Sequence, residues 1–166
     1  DCLTKPLRHD SLAKILRRIQ RDGKSSGRRE AVRTERIQKG ANPHYRVLLA
    51  EDNVVNQKVA SRMLESLGCD VDLVQNGVEA YPAAQHTTYD AIFMDCQMPE
   101  MDGYEATVLI RENSSNKSTP IIALTANALV GDKERCLEPG MSDFIPKPIR
   151  REILETMIKQ WLEHAV

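Results

Sequence analysis

The sequence predicts an α/β fold: a doubly wound, five-stranded parallel sheet of order 2-1-3-4-5 with helices on both faces. Short apolar runs alternate with amphipathic stretches from Tyr45 to Trp161. Five strand–helix units in succession imply a parallel sheet covered on both sides. Right-handed crossovers leave few topologies, and at this length the doubly wound order is the natural one.

Residues 46–50 read as a buried strand, and residues 54–67 as a helix with Val55, Val59, Met63 and Leu67 four apart on one face. Residues 70–74 form the second strand, and a short helix follows Asn76-Gly77. The third strand is 91–95, with a helix from Tyr104 to about Glu112. The fourth strand is 121–125, followed by a helix over 131–138. Phe144-Ile145 is a short fifth strand, and 149–161 is the closing helix. Pro82 falls inside the second helix, where it should distort or shorten it, and Pro139 should end the fourth early.

Two zones precede this domain, which is expected to span 45–166. Residues 1–22 end in a helical pattern, with Leu12, Ile15, Leu16 and Ile19 at helical spacing and a helix expected over 11–21. Residues 23–44 have the polar, glycine-broken composition of a flexible linker. Asp1-Cys2-Leu3-Thr4-Lys5-Pro6-Leu7-Arg8 mirrors Asp143-Phe144-Ile145-Pro146-Lys147-Pro148-Ile149-Arg150. The first copy therefore reads as the tail of a preceding domain of the same kind, and the chain as part of a longer one.

Composition narrows the function. The chain is 41% hydrophobic and 28% charged, values ordinary for a soluble protein, and no apolar run approaches the ~20 residues that span a bilayer. Direct membrane contact is not expected. Residues 1–44 hold twelve basic and five acidic residues, while the remainder is acidic. The basic arm lacks aromatic interleaving and any recognition motif, so it reads as solvated linker and nucleic acid is not an expected partner. Cys2, Cys69, Cys96 and Cys136 form no C-x-x-C pair, which argues for reduced, idle thiols in the cytoplasm. His9, His44, His86 and His164 lack ligand spacing and read as surface residues.

The chemistry gathers where parallel sheets place it, beyond the carboxyl ends of the strands. The first strand ends in Glu51-Asp52, the third in Asp95, the fourth in Thr125, and the fifth is followed by Lys147-Pro148. Alone, Glu51-Asp52 would be a helix cap and Lys147 a solvated lysine. An acid ending the apolar run Ala91-Ile92-Phe93-Met94 has no structural purpose. Three acids together need a counter-charge, and a hard divalent cation such as Mg²⁺, or Mn²⁺, supplies it.

Leu49-Ala50-Glu51-Asp52-Asn53, Met94-Asp95-Cys96-Gln97-Met98-Pro99-Glu100-Met101-Asp102-Gly103, Leu124-Thr125-Ala126-Asn127-Ala128 and Lys147-Pro148 together resemble the response-regulator receiver domain. With Asn56-Gln57 and Thr-Ala-Asn-Ala, the version resembles receivers fused to hybrid sensor histidine kinases of bacterial type. The resemblance covers about 45–161 and implies the flavodoxin-like fold. It implies that Asp95 is the phosphoacceptor. Glu51, Asp52, Asp95 and the backbone carbonyl of Gln97 would hold Mg²⁺, and Thr125 and Lys147 would contact the phosphoryl group. Thr125 and Phe144 would form the switch, although Phe144 reads equally as plain core. A cis Lys147-Pro148 bond is also implied, and Gly77 and Gly103 are expected to serve backbone turns. The donor would be phosphohistidine on a kinase dimerisation domain or a histidine phosphotransfer domain. Kinase activity would belong to a parent with at least two tandem receivers, of which this is a cytoplasmic portion.

Other classes fit less well. A non-phosphorylated interaction module would be marked by loss of the acid pair, acceptor or lysine, and all are present. An aspartyl-phosphate phosphatase needs a second acid two residues after the first, where Gln97 stands. A flavodoxin-like redox protein needs a phosphate-cradling loop after the first strand, where Glu51-Asp52 would repel the ligand.

Overall fold

The computed structural model describes residues 44–126, 137 and 139–163. The helix expected at 11–21, the linker apart from His44, and the helix expected at 131–138 apart from Leu137 lie outside the described residues. Within them the elements run β1 (Tyr45–Ala50), α1 (Val54–Ser66), β2 (Cys69–Val74), α2 (Gly77–His86), β3 (Ala91–Asp95), α3 (Gly103–Asn113), β4 (Ile121–Thr125), β5 (Asp143–Pro146) and α4 (Arg151–Ile158). A π-helical turn, Lys159–Glu163, continues α4.

The five strands form one parallel sheet of order β2-β1-β3-β4-β5, as the sequence predicted. The three central strands are apolar because both their faces are covered. All five residues of β3 and of β4 are buried, as are the last four of β1. At the edge, β2 carries Asp70 and Asp72, and Leu73 is 48% exposed there. Charges on an edge strand discourage pairing with another chain.

On one face, Val47, Leu49, Phe93, Ile122, Leu124 and Ile145 pack with Ala60 and Leu64 of α1 and with Leu154, Ile158 and Leu162 at the end of the chain. The alternate strand residues Leu48, Ala50, Ile92, Met94, Ile121 and Ala123 point to the other face. They too are buried, as are Ala80 and Ala84 of α2 and Ala106 and Ile110 of α3, two helices that pack together.

Helix starts follow short polar caps at the carboxyl side of the sheet. Asn53 accepts from Val55 N and Asn56 N, Asn76 from Glu79 N, and Asp102 from Glu105 N. Glu79 also reaches back past the cap, its carboxylate accepting from Gln75 N at 2.9 Å. At the opposite end, the wholly buried Asn116 donates to Ala84 O and Thr87 O and accepts from Tyr89 N and Thr119 Oγ1. Arg111 donates to the carbonyls of Asn116, Lys117, Thr119 and Gly140.

Several expectations are corrected. The apolar stripe of α1 is not its buried face: Val55 is 68% and Val59 44% exposed, and Met63 and Leu67 only flank the core. Gln57, Ala60, Ser61 and Leu64 face inward instead. The reason is local, because Gln57 must be inward to donate to the carbonyl of Glu51 at 2.5 Å. Pro82 does not end α2, which runs on to His86. The closing helix begins at Arg151, because Arg150 is still extended, and its last turn is π rather than α.

These corrections set up a stability test. Replacing Val55 and Val59 by serine should each change the unfolding free energy by less than about 0.5 kcal/mol. Leu64→Ala should cost about 2–5 kcal/mol. Urea denaturation of the three variants checks this; a core-sized loss at either valine would return the stripe to the interior.

Candidate functional site

Strand register brings the polar residues to one level. Asp95 closes β3 opposite Leu124, and Thr125 closes β4 opposite Pro146. Glu51 follows Ala50, which stands opposite Met94, and its N–H extends the pairing by donating to Val74 O at 3.2 Å. Lys147 N donates to Thr125 O at 2.7 Å. The bond between Lys147 and Pro148 is cis, as the resemblance implied.

One carboxylate oxygen from each of Glu51, Asp52 and Asp95 lies within 4.8 Å of the others. Glu51 is fully buried and Asp95 is 3% exposed, whereas Asp52 faces solvent. Asp95 Oδ1 accepts from Gln97 N at 3.1 Å, and Oδ2 accepts from Lys147 Nζ at 2.7 Å. The same ammonium lies 2.8 Å from Glu51 Oε2. That oxygen is buried and has no hydrogen bond, so the contact is an ion pair outside hydrogen-bond geometry.

The electrostatics follow from burial. Burial pushes the Asp95 carboxyl above its ordinary range. Lys147 and the Gln97 N–H pull it back, Glu51 pushes it up again, and the balance remains upward. Burial would lower Lys147, but Asp95 and Glu51 outweigh it and raise the ammonium. Three carboxylates against one ammonium leave two formal negative charges in excess.

The β3–α3 turn completes the site. A cleft of about 570 Å³ lies there, with Asp52, Gln97 and Asp102 among its walls. Gly103 is required by proximity rather than by an unusual turn. A Cβ there would stand 2.1 Å from Asp95 O, so only glycine lets α3 start against the end of β3. Gly77 likewise meets Met101 O, which a Cβ would approach to 2.7 Å. Neither has positive φ, which corrects the expected turn role. The left-handed residue of this loop is Glu100, at φ 68°.

A model of the response regulator receiver domain matches residues 47–159. The chain belongs to the response regulator receiver domain family. Its fold and its place in two-component phosphorelay signalling follow from that membership.

Among relatives of this receiver domain, hybrid signal transduction histidine kinase B of Dictyostelium discoideum is 46% identical over 144 residues, which is 80% of this chain and 7% of the relative. The histidine-protein kinase BarA of Escherichia coli K12 is 39% identical over 115 residues, 69% of this chain and 12% of the relative. The chain thus spans a small part of the curated relatives it matches. The solved receiver domain of sensor histidine kinase PA1611 from Pseudomonas aeruginosa PAO1 is 48% identical with a TM-score of 0.68, over 73% of this chain and 99% of that one. That structure has a magnesium ion coordinated in its active-site cleft. The receiver of Ssk1 from Saccharomyces cerevisiae, crystallised with the histidine phosphotransfer protein Ypd1, is 31% identical with a TM-score of 0.67, over 74% of this chain and 91% of the matched one.

The remaining expected site residues are placed as follows. Thr125 is 5% exposed at the end of β4. Phe144 lies partly exposed on β5, while its neighbour Ile145 is the buried core residue, so the plain core role falls to Ile145. Cys69 and Cys96 are buried, and burial pushes the Cys69 thiol up to about 11. His44 and His86 are at the surface. No helix among the described residues is long and apolar enough to cross a membrane. Sequence reasoning noted Asn56 and Gln57 only as part of a motif. Here Asn56 Nδ2 donates to Glu51 Oε1 at 2.9 Å, and Gln57 to the Glu51 carbonyl. An amide pair one helical turn beyond buried acids was the available signal.

The upward balance at Asp95 has a consequence for stability. A folded carboxyl raised above its unfolded value of ~3.9 contributes stability at low pH that is lost as pH rises through the folded value. Ionised Asp95 is therefore a net cost at neutral pH. Asp95→Asn should melt at higher temperature than the parent at pH 7 with chelator present, and the gap should narrow as the pH is lowered. A lower melting temperature for the variant at pH 7 would mean that the Lys147 pair outweighs burial.

Proposed function

We propose that Asp95 of this receiver is the phosphoacceptor of a phosphorelay, charged from a phosphohistidine with Mg²⁺ held by its acidic cluster. The observation that carries the reading is the setting of Asp95. It is a buried carboxylate at a strand end, one oxygen on a backbone N–H and the other on Lys147, within reach of two further acids. A carboxylate oxygen of Asp95 forms the new O–P bond while the donor's P–N bond breaks, and the electron pair stays on the imidazole nitrogen. Such transfers depend mainly on positioning and charge.

The donor set fits a hard divalent cation. Glu51, Asp52 and Asp95 offer only oxygen, two charges are uncompensated, and Glu51 Oε2 is buried without a hydrogen bond. Asp95, with Glu51 and Asp52 directly or through water, would hold it together with the carbonyl of Gln97. Bound there, the cation would neutralise charge on the transferring phosphoryl oxygens. Mn²⁺ suits the same oxygens. Thr125 donates its hydroxyl to one phosphoryl oxygen and Lys147 its ammonium to another.

Thr125 then draws inward and Phe144 follows, rearranging the surface near β5 and α4. The phosphoryl donor is a histidine kinase dimerisation domain or a histidine phosphotransfer domain, within a hybrid kinase parent. Residues 1–22 are the end of an upstream receiver and 23–44 the segment that joins it to this one, on the strength of the repeated Lys-Pro tail. The cytoplasm is the compartment this reading requires, because it holds the phosphohistidine donor.

Incubation with a small acyl or carbamoyl phosphodonor and Mg²⁺ should add ~80 Da, the mass of one phosphoryl group, by intact mass. Asp95→Asn should show no adduct; a full adduct on that variant sinks the assignment. Lys147→Ala should still accept the group, since acceptor and metal ligands remain, yet respond to it less. Amide chemical-shift changes on adding a phosphoryl mimic should shrink in Lys147→Ala, and unchanged shifts would remove Lys147 from the switch.

A further inference from the structure

The carboxylate of Glu51 is held in place beside the acid cluster. Two donors converge on Oε1: Asn56 Nδ2 at 2.9 Å and Asn53 N at 3.4 Å. Oε2 is left buried, with no hydrogen bond, and 2.8 Å from Lys147 Nζ. Turning the carboxylate out of its plane would break the bonds from Asn56 and Asn53, so the group is held in one orientation.

The orientation is built into the start of α1. Asn53 Oδ1 caps the helix by accepting from Val55 N at 2.9 Å and Asn56 N at 3.3 Å. Capping puts Asn56 at the third helical position, from which a side chain can reach back past the cap. Gln57, 8% exposed, holds the Glu51 backbone through its carbonyl. Backbone and side chain of the acid are thus each gripped by one amide of the same helix.

We propose that Asn56 is a positioning residue for cation binding: its amide fixes the Glu51 carboxylate so that the unsatisfied oxygen is presented to the metal. The proposal rests on the Mg²⁺ reading given above. Outer partners that orient a metal ligand typically change affinity by about 10–100-fold when removed. Among the hydrogen bonds described Asn56 reaches Glu51 and not Asp95, so its effect passes through Glu51.

The test is calorimetric titration of Mg²⁺ into the chain and three variants, with amide spectra recorded to establish that each is folded. Asn56→Ala and Asn56→Leu, the second close to asparagine in shape but without a donor, should each weaken Mg²⁺ by about tenfold. Asn56→Gln keeps an amide that can reach Glu51 and should recover most of the loss. Parent-like affinity in either folded donor-free variant overturns the proposal. So does a loss in Asn56→Gln as large as in Asn56→Leu, since that would be the mark of a merely structural position. A parent that binds no Mg²⁺ overturns the cation reading itself, and is told apart because the failure appears before any substitution.

Discussion

Everything at the working end of this domain depends on holding buried negative charge against its own repulsion. Glu51 and Asp95 are almost inaccessible, yet they stand within reach of each other and of Asp52. Carboxylates leave water only if something else meets their oxygens. The protein meets them with one ammonium, one backbone N–H on Asp95, and the Asn56 amide and Asn53 N–H on Glu51. These donors arrive from three different turns of chain. The loops after β1, β3 and β5 therefore have to be placed together or not at all, and the parallel sheet does that placing.

The fold was legible because its signals were of the robust kind. Ile121–Thr125 and Ala91–Asp95 are short apolar runs punctuated by Asp, Pro and Ser, and a central strand in a parallel sheet leaves just that trace. The acids, the threonine and the lysine were legible for the converse reason: a charge ending a buried strand has no packing rationale. The inward face of α1 was not legible. Periodicity assigns inside and outside by hydrophobicity, and here a glutamine points in because a carbonyl needs its amide, while Val55 and Val59 stand in water. Gly103 was read as a turn residue, since a sequence cannot show that Asp95 O lies where its Cβ would go. Pro82 was judged by a rule about isolated helices. α2 packs on α3, and tertiary contacts of that sort routinely override local preference.

The two ends of the sheet are built on different principles. At the amino end, Asn116 and Arg111 gather backbone carbonyls and amides from neighbouring loops, so that polar backbone is satisfied by one amide and one guanidinium. Burial lowers the Arg111 guanidinium, and neutral carbonyls are its partners in the hydrogen bonds described. The carboxyl end instead gathers an excess of negative charge, with one carboxylate oxygen reached only by the Lys147 ammonium.

The hydrogen bond from Lys147 N to Thr125 O, together with the register of Thr125 on Pro146, carries a consequence for how such a chain can drift over evolutionary time. The hydroxyl and the ammonium are separated by more than twenty positions in sequence, but their spacing in space is set by adjacent strands. The stretch of sequence ahead of β5 can lengthen, shorten or change composition, at a closure cost that grows only logarithmically with its length, and as long as β5 keeps its register on β4 the two groups will still meet the same point.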